Sequence, residues 1–308
     1  MIVYKELASL ERELGFSAKT LYGISNHIGG HYREVKIPKQ DGGVRTLSVP
    51  DKILKKVQRA IADKFLAYEP VSRYAKAYKI ASGVRKNASP HVGKPKLLKL
   101  DVEKFFDNIL YSTVKERVFS AEKYSEPIRV LLSMLCYHGD GLPQGAPTSP
   151  AITNIVMRDF DEKIGEWCGE RGIAYTRYCD DMTFSGDFDE TQVIEMVSAE
   201  LRGMGLRLNK RKTAVIPKGK RQTVTGVVVN GKLSVPSEYK RRLRQEVFYC
   251  QKFGVEEHIR RVESDLSAEK YLVRLLGKIH YALHICPEDE NLRLYRKTIV
   301  SLLEETKR

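Results

Sequence analysis

Apolar and polar positions alternate along this chain with periods that change several times, and each change predicts an element. Leu7, Leu10, Leu14 and Leu21 recur at roughly helical spacing and predict one helix from Tyr4 to Leu21. Alternation then shifts to period two in Arg33–Pro38 and Val44–Val49, around an Asp41-Gly42-Gly43 turn, which predicts a hairpin. Pro50-Asp51 opens a helix with Asp51 as N-cap and an apolar stripe of Ile53, Leu54, Val57, Ile61 and Phe65. Lys52, Lys55, Lys56 and Arg59 lie off that stripe.

Strands and helices alternate in the middle of the chain. Leu97–Leu100 reads as a short buried strand ending at Asp101. Thr148-Ser149-Pro150 starts a helix, with a hydroxyl as N-cap and proline in the first turn. Ile152, Ile155, Val156, Phe160, Ile164 and Trp167 form its apolar face. Ile173–Ser185 predicts two strands around a tight turn at Cys179-Asp180-Asp181. A further hairpin is predicted from Thr223–Val229 and Lys232–Val235 around Asn230-Gly231, because Asn-Gly is a strong short turn signal. Beyond Ser237 only helical patterns occur. The pattern predicts an α+β centre followed by a helical C-terminal region.

Charge narrows the class of partner. The chain has 308 residues, with 53 basic and 39 acidic side chains and a formal charge of +14, so polyanions are attracted. No apolar run approaches the roughly 20 residues of a membrane span, and the N-terminus lacks the pattern of a signal peptide, so a cytoplasmic protein without membrane contact is expected. Five scattered cysteines without C-x-x-C spacing read as reduced, packed thiols.

Asp101 at a strand end and Asp180-Asp181 at a hairpin tip are the candidate chemistry. Three carboxylates at one sheet edge repel unless cations lie between them. Hard oxygen ligands suit two magnesium ions, or manganese, and disfavour zinc. An Asp-Asp pair in a turn is ordinarily turn chemistry alone, but the flanking motifs tell against that here. Leu-Asp-Val-Glu-Lys-Phe-Phe-Asp (100–107), Gly-Leu-Pro-Gln-Gly-Ala-Pro-Thr-Ser-Pro (141–150), Tyr-Cys-Asp-Asp (178–181) and Gly-Leu-Arg-Leu-Asn-Lys-Arg-Lys-Thr (205–213) occur in this order.

In these motifs the chain resembles reverse transcriptases from about Arg33 onward. Asn87-Ala88-Ser89-Pro90-His91 and Val224-Thr225-Gly226 are similar to elements of the bacterial retron enzymes. Cys179 stands where alanine is usual, and its small side chain leaves room for a primer end. The resemblance implies a right-hand polymerase: N-terminal helices and fingers over 1–95, a palm of antiparallel sheet and helices over 96–235 with a fingers insertion at about 115–145, and an α-helical thumb over 236–308. It makes Asp101, Asp180 and Asp181 catalytic and metal-binding, with the Val102 carbonyl completing the shell. Phe106 becomes the gate that excludes a 2′-hydroxyl. Lys39 and Arg45, Arg45 above all, grip the triphosphate, while Gln144 and Gly145 lie by the nucleotide. Lys210 or Lys212 is the candidate to hold the triphosphate or protonate pyrophosphate. Asn87, His91, Lys240, Arg241 and Arg244 are implied RNA contacts.

The retron resemblance also implies deoxynucleotide substrates and a structured noncoding RNA template and primer. Its product is branched, RNA-linked single-stranded DNA (msDNA) started from a guanosine 2′-hydroxyl. It further implies an accessory effector protein and a role against phage. No RNase H, maturase or HNH segment is visible, so template removal is expected to fall to a host enzyme. The competing expectations are an abortive-infection or intron-derived reverse transcriptase, and a non-catalytic RNA-binding scaffold.

Overall fold

The computed structural model describes residues 4–38 and 42–306. The chain divides into two compact units, Met1–Ala81 with Leu98–Val215, and Ser82–Leu97 with Ile216–Arg308. Each unit has its own apolar core.

The first unit is built on a four-stranded sheet. Its strands are β3 (Lys96–Asp101), β4 (Ala174–Tyr178), β5 (Asp181–Ser185) and β6 (Ala214–Pro217), in the order β4-β5-β3-β6. The division between units falls inside β3 and β6. β4 and β5 pair antiparallel with Tyr178 opposite Asp181, which leaves a two-residue turn of Cys179 and Asp180. Helix Arg158–Gly169 packs against β4. A separate hairpin, β1 (Tyr32–Pro38) and β2 (Val44–Pro50), pairs antiparallel with Ile37 opposite Arg45. Asp51 caps the following helix as expected, accepting from the Leu54 amide at 2.8 Å.

Four local expectations change. The helix expected over Tyr4–Leu21 is two helices, Leu7–Leu14 and Ala18–Asn26. Gly15 ends the first in the left-handed region at φ 74°, and the Ser17 hydroxyl caps the second. Ile53 is exposed, so the stripe of helix Lys52–Ile61 buries Leu54, Val57 and Ile61 without it. Thr148 gives no side-chain cap, because its backbone is already helical; the Ser149 hydroxyl instead donates to the Pro143 carbonyl at 2.9 Å. Thr223–Val229 is not one strand. It folds back on itself at Thr225 (φ 45°) and Gly226 (φ 81°), pairing β7 (Thr223–Val224) with β8 (Val227–Val228), and the Asn230-Gly231 turn closes on a single bridge from Val228 to Ser234.

The second unit otherwise consists mainly of helices, as the pattern beyond Ser237 predicts: Ser237–Phe253, Val255–Arg261, Ala268–Ile285 and Glu290–Glu305. Leu243, Val247, Leu272, Leu275, Ile279 and Ile299 form the centre of its core. The five cysteines are free thiols, as expected. No helix among the described residues is long and apolar enough to cross a membrane.

Candidate active site

The end of β3 and the turn between β4 and β5 bring Asp101, Asp180 and Asp181 together. Their ligand oxygens all lie within 4.8 Å of one another, the only such group of metal-ligating side chains among the described residues. The backbone locks this meeting: the Val102 amide donates to the Asp180 carbonyl at 3.1 Å, and the Asn209 amide to the Asp101 carbonyl at 2.8 Å. The Asn209 side chain accepts from the Arg211 amide and starts a short 3-10 turn, Lys210–Lys212. That turn carries Lys212 to Asp101, with Nζ 2.8 Å from Oδ2.

The electrostatics follow from this crowding. Asp101 is buried, Asp180 half-buried and Asp181 exposed. Desolvation, then the charges of Asp180 and Asp101, push the Asp181 carboxyl up to about 6. The hydrogen bond to Asp101 holds the Lys212 ammonium above its ordinary range. On β3 itself, burial pulls Lys99 down, and the charge of Asp181 opposes that pull. A divalent cation fits this oxygen-only donor set, where one protein ammonium already neutralises part of the charge.

A cavity of about 770 Å³ contains the triad, Val102, Phe106, Gln144, Arg45 and Lys212. Phe105 and Phe106 both border the cavity; Phe105 is buried with the core and Phe106 is half-buried. The Gln144 amide donates to Asp107 Oδ1 at 3.2 Å. Gly145, at φ 142°, lies so close to β2 that a Cβ would stand 2.8 Å from the Ser48 carbonyl oxygen, so glycine is required there. Arg45 stands on β2, while Lys39 lies outside the described residues.

The expected RNA contacts fare unevenly. Asn87 and His91 are buried inside the second unit, where Asn87 Nδ2 donates to Thr225 Oγ1 at 3.3 Å. Burial pushes His91 down to about 3, which keeps it neutral. Both side chains are therefore turned away from solvent, and the expected RNA contact is not exposed at either. Lys240 is committed to an ion pair with Asp289 at 2.7 Å, and Asp289 also caps helix Glu290–Glu305. Arg241 and Arg244 remain exposed and border a cavity of about 530 Å³ with Arg221.

Sequence reasoning missed the group that holds the turn of Cys179 and Asp180. Cys179 adopts φ 61° at the first turn position, a conformation that favours glycine. Arg177 Nη1 donates to the Cys179 carbonyl at 2.8 Å. The guanidinium is fully buried and pairs with fully buried Asp161 at 2.6 Å. Asn154 accepts from the same guanidinium, and Tyr175 donates to Asp161. The available signal was alternation: Ile173, Tyr175 and Arg177 share one strand face, so an arginine falls in an inward register. Tyr78, with φ 56°, donates its hydroxyl to Cys179 Sγ at 3.5 Å from the neighbouring wall.

Two outcomes test this arrangement. Asp161→Asn leaves a buried guanidinium without its counter-charge, and unfolding in urea is expected to show a loss of about 3–5 kcal/mol; unchanged stability would refute the role of the pair. For Asp181, the folded value of about 6 lies above the unfolded one. The folded state therefore binds the extra proton, and its contribution to stability is full below about pH 4 and lost as pH rises through about 6. Thermal unfolding in chelator should show this fall for the native chain and a flatter profile for Asp181→Asn.

Residues 37–229 match the family model described as "Reverse transcriptase (RNA-dependent DNA polymerase)". The retron Mx65 reverse transcriptase of Myxococcus xanthus is 34% identical over 70% of this chain and 55% of its own length. The retron Ec86 enzyme of Escherichia coli is 28% identical over 84% and 82%, and the Ec83 enzyme 33% identical over 71% and 75%. A solved structure of apo telomerase from Candida tropicalis gives a TM-score of 0.46 at 13% identity, covering 70% of this chain and 59% of the other. The sequence matches alone carry the assignment: the chain belongs to the reverse transcriptase family, among the bacterial retron reverse transcriptases.

Proposed function

We propose that this chain is the RNA-directed DNA polymerase of a retron, copying a structured noncoding RNA from deoxynucleotides. The observation that carries the reading is the convergence of Asp101, Asp180 and Asp181 in a cavity walled by Phe106 and Arg45. The three carboxylates and the Val102 carbonyl would hold two magnesium ions, or manganese. Bound there, the ions lower the pKa of the attacking hydroxyl and neutralise charge on the leaving pyrophosphate.

The remaining roles belong to the chain itself. Arg45, with Lys39, grips the triphosphate, while Gln144 and Gly145 shape the nucleotide's seat. The Phe106 ring occupies the space of a 2′-hydroxyl and selects deoxynucleotides by exclusion. Lys212, kept protonated by Asp101, donates a proton to the departing pyrophosphate. Arg241 and Arg244 on helix Ser237–Phe253 hold RNA phosphates without reading sequence.

In this reading, residues 1–95 act as fingers, 96–235 as palm and 236–308 as thumb. Synthesis starts from a guanosine 2′-hydroxyl and yields msDNA in the cytoplasm, with an effector protein acting against phage. Three retron relatives of 28–34% identity support the retron arm of the proposal.

Primer extension on an RNA template tests it. Asp180→Asn combined with Asp181→Asn should abolish DNA synthesis while RNA binding persists; continued synthesis would overturn the mechanism. In the same assay Phe106→Ala should raise ribonucleotide incorporation by about tenfold or more, the order expected when one group is no longer excluded. An unchanged preference would remove Phe106 as the gate.

A further inference from the structure

A second cationic cavity, of about 740 Å³, adjoins the catalytic one within the first unit. Arg202 at the end of helix Glu190–Gly203, and Arg207, Lys210 and Arg211 from the following segment, line it. Glu103 and Asn209 belong to the walls of both cavities, whereas the four cations line this one and not the catalytic one. The segment is fixed to the catalytic strand end: the Glu103 amide donates to the Arg207 carbonyl at 2.8 Å, and Val102 bridges Leu208.

The four cations lie together on one cavity. All four are exposed, and none makes an ion pair among the described residues. Some cations of this unit are answered by carboxylates, as Lys163 is by Glu200 at 2.7 Å and Lys115 by Glu126 at 2.5 Å, but these four are not. Four uncompensated cations against the single acid Glu103 leave a local positive field that attracts a polyanion. Leu208 is the one large apolar side chain lining it, so the cavity lacks the aromatic or aliphatic anchors of a protein interface. The cations come from two backbone segments, a spread that suits successive phosphates of a strand better than one small anion.

We propose that this cavity anchors the phosphate backbone of a nucleic-acid segment that lies outside the catalytic cavity, part of the polynucleotide being copied or made. The proposal rests on the RNA-copying reading for its choice of ligand. It assigns Arg202, Arg207, Lys210 and Arg211 as phosphate contacts that add affinity without reading sequence. A short primer–template confined to the catalytic cavity does not reach them.

The full chain with Arg202, Arg207 and Arg211 all changed to Gln provides the test. Binding is measured by filter retention across a salt series, with a stem-loop RNA carrying single-stranded flanks and with a DNA hairpin of the same sequence. Each lost phosphate contact should reduce the salt slope by about one, and affinity for at least one hairpin should fall about tenfold or more. Extension of a short oligo(dT) on oligo(rA) should keep its kcat and KM. The two hairpins distinguish RNA from its DNA copy as the anchored strand. A companion variant with the three arginines changed to Lys should keep the slope, because phosphate needs only the charge; its loss would mark a structural role and overturn the proposal. Unchanged binding of both hairpins by the Gln variant would also overturn it. Equal weakening of the short duplex would do the same. Failure of the native chain to extend the oligo(dT) would count against the polymerase reading alone, since hairpin binding is read without synthesis.

Discussion

The fully buried ion pair between Arg177 and Asp161 is the interaction on which the site's geometry depends. A charge pair taken wholly out of water is costly unless its remaining hydrogen-bonding capacity is filled. Here Tyr175, Asn154 and the Cys179 carbonyl fill it. That last bond converts a core interaction into a positioning one. The guanidinium joins helix Arg158–Gly169 to the hairpin turn and holds Cys179 in a backbone conformation that a non-glycine residue resists. Asp180 and Asp181 are the next residues, so their carboxylates inherit the order of this network.

Around the triad the chain supplies partial compensation. Lys212 sits directly on Asp101, and Lys99 feels the charge of Asp181. Desolvation first, and then the surplus of negative charge that remains, raise the Asp181 carboxyl, and that surplus makes the cluster receptive to hard cations. The same segment that delivers Lys212 also carries Arg207, Lys210 and Arg211 away from the catalytic cavity. One short basic stretch thus borders two cavities, and within it the 3-10 turn started by the Asn209 side chain carries Lys210 and Arg211 to one cavity and Lys212 to the other.

Burial revised the reading of the second unit. The Asn87–His91 and Val224–Gly226 elements, 138 residues apart at Asn87 and Thr225, meet in one core and share a hydrogen bond. Asn87 and His91 are buried there, and the exposed cations Arg241 and Arg244 are left as this unit's candidate nucleic-acid contacts among those expected from the sequence.

Local pattern determined much of this protein by itself. The hairpin ending in Asp180-Asp181, the strand ending in Asp101, the Asp51 cap and the helices beyond Ser237 follow from periodicity and turn chemistry, which are properties of neighbouring residues. The motifs likewise pointed to the three carboxylates that lie together and to Lys212 as one of two lysines near them. Tertiary structure decided what depends on distant partners. Whether Lys210 or Lys212 reaches Asp101, whether Asn87, His91 and Lys240 face solvent, and what Arg177 pairs with are questions of burial and of which segments meet. A one-dimensional pattern records a charge at Arg177, but only the packed core reveals that Asp161 answers it and that Cys179 is held in consequence.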